Sequence, residues 1–174
     1  MILSTENLRI RFIEESDWQS VKEIWEDFNA SPFAQYDKPH NTDPDDVRER
    51  IARWAHASWS SEHIFFVACL QDKVIGYIAF NIRENGSYEI GYCFHSAYHG
   101  KGYAKRSHTA ALEYMRSLGI KHFTAGTAIK NLPSVKLLES LGFTKIGEEK
   151  VSFYKGENGD DIVFDGGIFE LILE

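Results

Sequence analysis

Two glycines flank a lysine at Gly100-Lys101-Gly102, where a β-type run, Tyr88 to Phe94, gives way to a helix-like stretch. This order brings unhindered backbone N–H groups to the positive end of a helix, which suits a phosphate-bearing ligand. Glycine lacks a Cβ, so backbone there can close around such a group. A second polar segment, Asn131-Leu132-Pro133-Ser134, opens another helix, with Asn131 as its N-cap and Pro133 in its first turn. His95 and His99 have a His-x-x-x-His spacing but fall in a loop without the zincin glutamate, so no metal site is expected. Gly100-Lys101-Gly102 also fails as a P-loop or dinucleotide fingerprint, because the remaining glycines and the Lys-Ser/Thr pair are missing.

The elements that must hold these residues can be read from periodicity. Leu8 to Ile13 alternates apolar and charged residues, as a half-buried strand does. Ser16 with Gln19 forms a capping-box pattern ahead of a first amphipathic helix carrying Trp18, Val21, Ile24, Trp25 and Phe28. A second starts at Asp43-Pro44, with Val47, Ile51, Trp54 and Ala55 on one face. The tryptophans recur at core spacing and read as packing, with the lining of an acceptor pocket by some of them as the alternative. Asn29 to Thr42 has two prolines and no period, so it reads as a long loop of the kind that carries binding residues.

Ile64 to Leu70 and Val74 to Ile82 read as strands of a hairpin through Gln71-Asp72-Lys73, and Asn85-Gly86 turns the chain into Tyr88 to Phe94. After the glycine loop, Ala104, His108, Ala111, Leu112, Met115 and Leu118 share a helix face that stops at Gly119. A strand at His122 to Ala128 follows. The helix capped by Asn131 then runs with Ser134, Leu138 and Leu141 on one side, to Gly142. Two long strands, Thr144 to Tyr154 and Asp161 to Leu173, flank the hairpin signal Asn158-Gly159. The class is mixed α/β, in one domain spanning residues 1–174.

Composition narrows the function. Apolar residues at 43% and aromatics at 14% are globular values, which exclude a disordered chain. The net charge of −7 argues against a nucleic-acid partner. The longest apolar runs, such as Ile64 to Leu70, are too short for a membrane span. Two cysteines in strand-like runs, Cys69 and Cys93, and no signal core at the N-terminus point to the cytoplasm. Oligomeric state is not legible, and a homodimer stays open.

At His99-Gly100-Lys101-Gly102-Tyr103-Ala104 the chain resembles the GCN5-related N-acetyltransferases, the GNAT superfamily, whose loop reads Gln/Arg-x-x-Gly-x-Gly/Ala. Glu89-Ile90-Gly91-Tyr92, then Asn131 with Ser134, then Leu141-Gly142-Phe143 extend the likeness toward the ribosomal-protein N-terminal acetyltransferases. Three motifs in the right order cover nearly the whole chain. The resemblance implies a mostly antiparallel mixed sheet of about seven strands, splayed in the middle where acetyl-CoA inserts, flanked by about four helices. Two positions depart from the pattern: His99 stands for the usual Gln or Arg, and Leu138 for a Tyr that many members use as general acid.

By resemblance, His99, Gly100, Lys101, Gly102, Tyr103 and Ala104 hold the pyrophosphate, Cys93 and Phe94 pair with the pantetheine arm, and Asn131 and Ser134 meet its amide and sulfur. Ser134 inherits the general-acid role and Glu89 is the candidate base. Glu89, Gly91 and Cys93 share one strand face, opposite Ile90, Tyr92 and Phe94, and only one face meets the acceptor. Cys93 as an acyl-accepting nucleophile ranks below direct transfer, because no nearby histidine is placed to activate it. The acceptor implied is a protein N-terminal α-amine. The alternatives are a small amine (a polyamine, an amino-sugar antibiotic or an amino-acid derivative) or a non-catalytic acyl-CoA sensor. An α-amine of pKa about 7.7–8.0 is substantially neutral near neutrality, whereas neutralising a lysine of pKa about 10.4 costs roughly 4 kcal/mol. A weak base therefore suffices for an α-amine.

Overall fold

In the computed structural model, which describes residues 3–5 and 7–174, one open sheet of eight strands runs through the molecule. In chain order the strands are β1 (Leu3–Thr5), β2 (Leu8–Phe12), β3 (His63–Leu70), β4 (Lys73–Ile82), β5 (Tyr88–Phe94), β6 (His122–Ala128), β7 (Thr144–Lys155) and β8 (Asp161–Ile172). Their order across the sheet is β1-β2-β3-β4-β5-β6-β8-β7. Every neighbouring pair is antiparallel except β5 with β6. The strand beyond the expected seven is β1, a three-residue edge segment too short to show alternation.

Four helices cover the two faces: α1 (Trp18–Asn29), α2 (Pro44–Ala57), α3 (Tyr103–Ser117) and α4 (Leu132–Ser140). Alternation along the strands gives each face its own core. On one face Ile10, Phe66, Phe80 and Phe123 pack with Ala111 and Met115 of α3 and Leu138 of α4. Facing the other way, Val67, Tyr77 and Cys93 pack with Val21, Ile24 and Trp25 of α1 and Val47 and Ile51 of α2. Burying one such large apolar side chain contributes about 1.5–3 kcal/mol. Among the described residues no helix is long and apolar enough to cross a membrane.

Local signals behave as their chemistry requires, with two corrections. The Asp43 carboxylate accepts from the Asp45 and Asp46 N–H groups at 3.0 and 3.2 Å, starting α2 as expected. The Ser16–Gln19 cap does not form. Instead Glu15–Asp17 makes a 3-10 turn, and Asp17 accepts from the Glu14 N–H at 2.8 Å. Arg11 on β2 donates twice to that carboxylate, at 2.8 and 2.7 Å, and a charged acceptor so held outcompetes a hydroxyl. Leu118, expected on the buried face of α3, is 52% exposed, because the helix stops at Ser117 and Gly119 turns the chain away at φ +83°.

Candidate active site

The parallel pair β5–β6 holds together only at Tyr88–Phe123 and Glu89–Thr124, and then the strands part. On its other edge β5 stays paired with β4 along its whole length. The backbone edge of Ile90 to Phe94 therefore opens into a groove of about 1050 Å³, with Gly126 to Ala128 of β6 across from it. Phe94 fixes the end of this edge by laying its ring over Gly76, where a Cβ would stand 2.3 Å from the ring.

The glycine loop forms one end of the groove. Tyr98 and His99 donate their N–H groups back to His95 and Ser96, each at 3.0 Å, and Arg106 donates to the Gly102 carbonyl at 3.1 Å. Between them, from Gly100 to Lys105, no backbone N–H finds an acceptor among the described residues. Gly100 and Gly102 make this possible at φ +71° and +76°, a left-handed conformation that a side chain resists. The result is a run of free donors at the N-terminus of α3, an arrangement able to hold an anion.

Around this loop the expected residues divide. His99 lines the groove, but its Nε2 lies 2.7 Å from the Phe94 carbonyl, so the ring pins the loop to the strand end. Tyr103 and Ala104 line the groove with the two glycines. Lys101 does not: its ammonium donates to the Ala97 carbonyl at 3.1 Å, folded back within the loop. Asn131 caps α4 by accepting from the Ser134 N–H at 3.3 Å, and both residues line the groove.

Ser134 has a partner that sequence reasoning missed. Its Oγ lies 2.6 Å from the Tyr92 hydroxyl. Burial pushes the Tyr92 phenol up to about 12, with the hydrogen bond to Ser134 opposing the rise. Behind Tyr92 the His108 ring meets it edge-on at 4.6 Å. Burial drives His108 down to about 4, so the imidazole is neutral; its Nδ1–H donates to the Ala104 carbonyl at 2.7 Å. Alternation puts Tyr92 on the face of β5 away from Glu89, Gly91 and Cys93, but nothing in the sequence names Ser134, 42 residues on, as its partner.

On the opposite face of β5 stand Glu89, Gly91 and Cys93, as alternation requires. Glu89 lines the groove and is ion-paired with Arg83. Burial pushes the Cys93 thiol up to about 12, far from a thiolate at neutral pH. A smaller cavity of about 330 Å³ opens over Gly91, which contributes no side chain to it. Its walls are aromatic, including Trp25 and Trp54, so these residues pack in the core and also line open space, as the two sequence readings allow. Trp25 donates to the Tyr77 hydroxyl at 3.0 Å, and Trp54 stacks on Phe65 at 4.4 Å. The cavity and the groove meet at Phe28, Asp37 and Gly91 to Cys93.

A sheet opened beside one strand, with a run of free donors at its mouth, agrees with the comparisons to known proteins. The acetyltransferase (GNAT) domain pattern matches residues 7–144. The chain belongs to the GNAT acetyltransferase family. The uncharacterized N-acetyltransferase p20 of Bacillus licheniformis is 32% identical over 156 residues, 83% of each chain. Ribosomal-protein-S5-alanine acetyltransferase from Vibrio fischeri superposes with a TM-score of 0.82 at 22% identity, over 98% of this chain and 95% of that one. YncA from Salmonella typhimurium, solved with its cofactor acetyl-CoA, superposes with a TM-score of 0.74 at 22% identity, over 97% and 95%. A GNAT acetyltransferase is thus an enzyme on family grounds, and the acyl-CoA sensor falls away.

Proposed function

We propose that this GNAT enzyme transfers acetyl from acetyl-CoA directly to a primary amine, and that the acceptor is a protein N-terminal α-amine. The observation that carries the reading is the run of unpaired N–H groups from Gly100 to Lys105 beside the open edge of β5. These donors fit a pyrophosphate, and the edge of Ile90 to Phe94 fits an extended amide-bearing arm. Acetyl-CoA, when bound, supplies a thioester carbonyl and a thiol leaving group.

The chain's own residues then divide the work. Backbone N–H groups of β5 face the opening and are fixed before any substrate arrives; one such preorganised donor lowers a barrier by about 3 kcal/mol. Ser134 and Tyr92 hold a hydroxyl proton at the α4 side. With Tyr92 at about 12, the pair stays protonated through the neutral range and stabilises developing negative charge by hydrogen bonding rather than by ionising. Cys93 remains a neutral thiol and takes no acyl group. Glu89, engaged by Arg83, acts as a weak proton acceptor, and that is enough for an α-amine. Support for the acceptor class comes from the fold likeness to the S5-alanine enzyme. The small cavity favours a second reading, a small-molecule amine.

Free-thiol release from acetyl-CoA, measured across peptides with free and blocked N-termini and across small amines, tests the proposal. The expected result is release that requires an amine and is fastest with free-N-terminus peptides. Equal release with blocked peptides would remove the α-amine from the reading, and release only with small amines would select the second.

A further inference from the structure

Three arginines of α2 have different fates. Arg48 pairs with Asp45 at 3.3 Å and Arg53 with Glu49 at 2.8 Å, both on the exposed side of the helix. Arg50 turns inward. Its guanidinium lies 5.2 Å from the centre of the Trp25 ring and lines the small cavity. Among the described residues it makes no ion pair or hydrogen bond with any side chain or carbonyl. Its five donors have no protein acceptor and remain accessible from the cavity, free to take a carboxylate that enters it. Stacking on an indole accounts for its orientation, not for its missing partner.

Charge is distributed along the cavity in a definite order. Asp37 lies where the cavity meets the cofactor groove, beside the Gly91 to Cys93 edge. Arg50 lines the cavity and not the groove. Between the two, His40 stacks on Trp25 at 5.0 Å, with its Nε2 3.9 Å from the Asp37 carboxylate. A carboxylate at the junction with the groove attracts an ammonium group, and an unpaired guanidinium farther in attracts a carboxylate. Trp54 and Tyr77 also line the cavity, and their aromatic walls accept a short apolar body. A cavity of about 330 Å³ is at the small end for a ligand pocket, which suits a small acceptor or a single residue of a larger one.

We infer that this cavity selects acceptors whose primary amine lies a few bonds from a carboxylate, with Asp37 receiving the amine end and Arg50 the carboxylate. Two sources offer that chemistry: the first residue of a protein beginning with Asp or Glu, and a free acidic amino acid. The inference rests on the amine-acetylation reading above and names the acceptor of that same site.

The test compares kcat/KM for carboxylate acceptors and their amide isosteres, in parent, Arg50→Gln and Arg50→Lys. One arm uses peptides beginning with Glu or Gln; the other uses free glutamate, glutamine and their α-amides. The parent is expected to favour the carboxylate member at least tenfold, mainly through KM. Arg50→Gln should bring that ratio near one, and Arg50→Lys should restore part of it, which separates lost charge from a damaged helix. The arm that shows the preference identifies the source. Acetylation of amines without charge preference in the parent, or an unchanged ratio in Arg50→Gln, overturns the inference while leaving acetyl transfer standing. Absence of transfer to every amine overturns both.

Discussion

The two faces of β5 are built from different materials. Toward the glycine loop the polar surface is backbone: unpaired N–H groups from Gly100 to Lys105 and an open strand edge. Toward α1 and α2, the cavity over Gly91 is lined by side chains, with Asp37, His40 and Arg50 set among aromatic rings. Backbone donors read phosphates and amides whatever the neighbouring residues are, so that half suits a cofactor shared by a family. Side chains read one shape and one charge pattern, so the other half suits an acceptor particular to this protein.

Breaking the backbone half should give the largest effect. Gly102→Val asks a β-branched residue to adopt φ +76°, at a cost of about 2–3 kcal/mol, so the loop relaxes out of its donor array. Calorimetric titration should show acetyl-CoA affinity falling about a hundredfold. Equal affinity in a folded variant removes the loop from the site.

A second test addresses the support beneath Tyr92. His108 is buried and neutral, with its pKa lowered to about 4 from an ordinary 6.5. The unfolded chain binds a proton more readily between those values, so the stability His108 contributes is fully present above about 6.5 and is lost as pH falls toward 4. Between pH 7 and 5 the loss attributable to this residue is about 2 kcal/mol. Urea unfolding of the parent and His108→Leu at both pH values checks this: the variant's stability should fall less by that amount. Parallel losses would place the acid sensitivity elsewhere.

Much of this was legible in the sequence, for identifiable reasons. Glycines with a following helix, an Asn cap and a period-two strand are local patterns, and the loop, α4 and β5 follow from them. Tyr92 with Ser134 and Arg50 with Trp25 were not legible, because each joins elements far apart in the chain. Lys101 shows the converse: its charge in a glycine loop suggests a phosphate contact, yet the Ala97 carbonyl four residues earlier takes it. The tryptophans at helical spacing pack as expected, but periodicity does not say that a glycine opposite them leaves space.

Smaller effects sharpen the division of labour. Ser134→Ala should lower turnover on the order of tenfold with little change in cofactor affinity, the worth of one hydrogen bond of about 1.4 kcal/mol. Tyr92→Phe should do the same, and the double variant should add little, because the two hydroxyls act as one pair. Full additivity under single-turnover conditions would mean they act separately. Glu89→Gln should cost least, no more than about threefold on an N-terminal peptide, since an α-amine near pKa 8 needs little help. A hundredfold loss there would point to a lysine-type acceptor.

The most direct measurement locates the acetyl group itself. A peptide with a free N-terminus and one internal lysine, incubated with the enzyme and acetyl-CoA near pH 7 and fragmented by mass spectrometry, reports which nitrogen has reacted. Acetyl is expected on the α-amine, with a rate that rises toward that amine's own pKa. Acetyl on the lysine side chain, or a peptide left unmodified while small amines react, contradicts α-amine transfer.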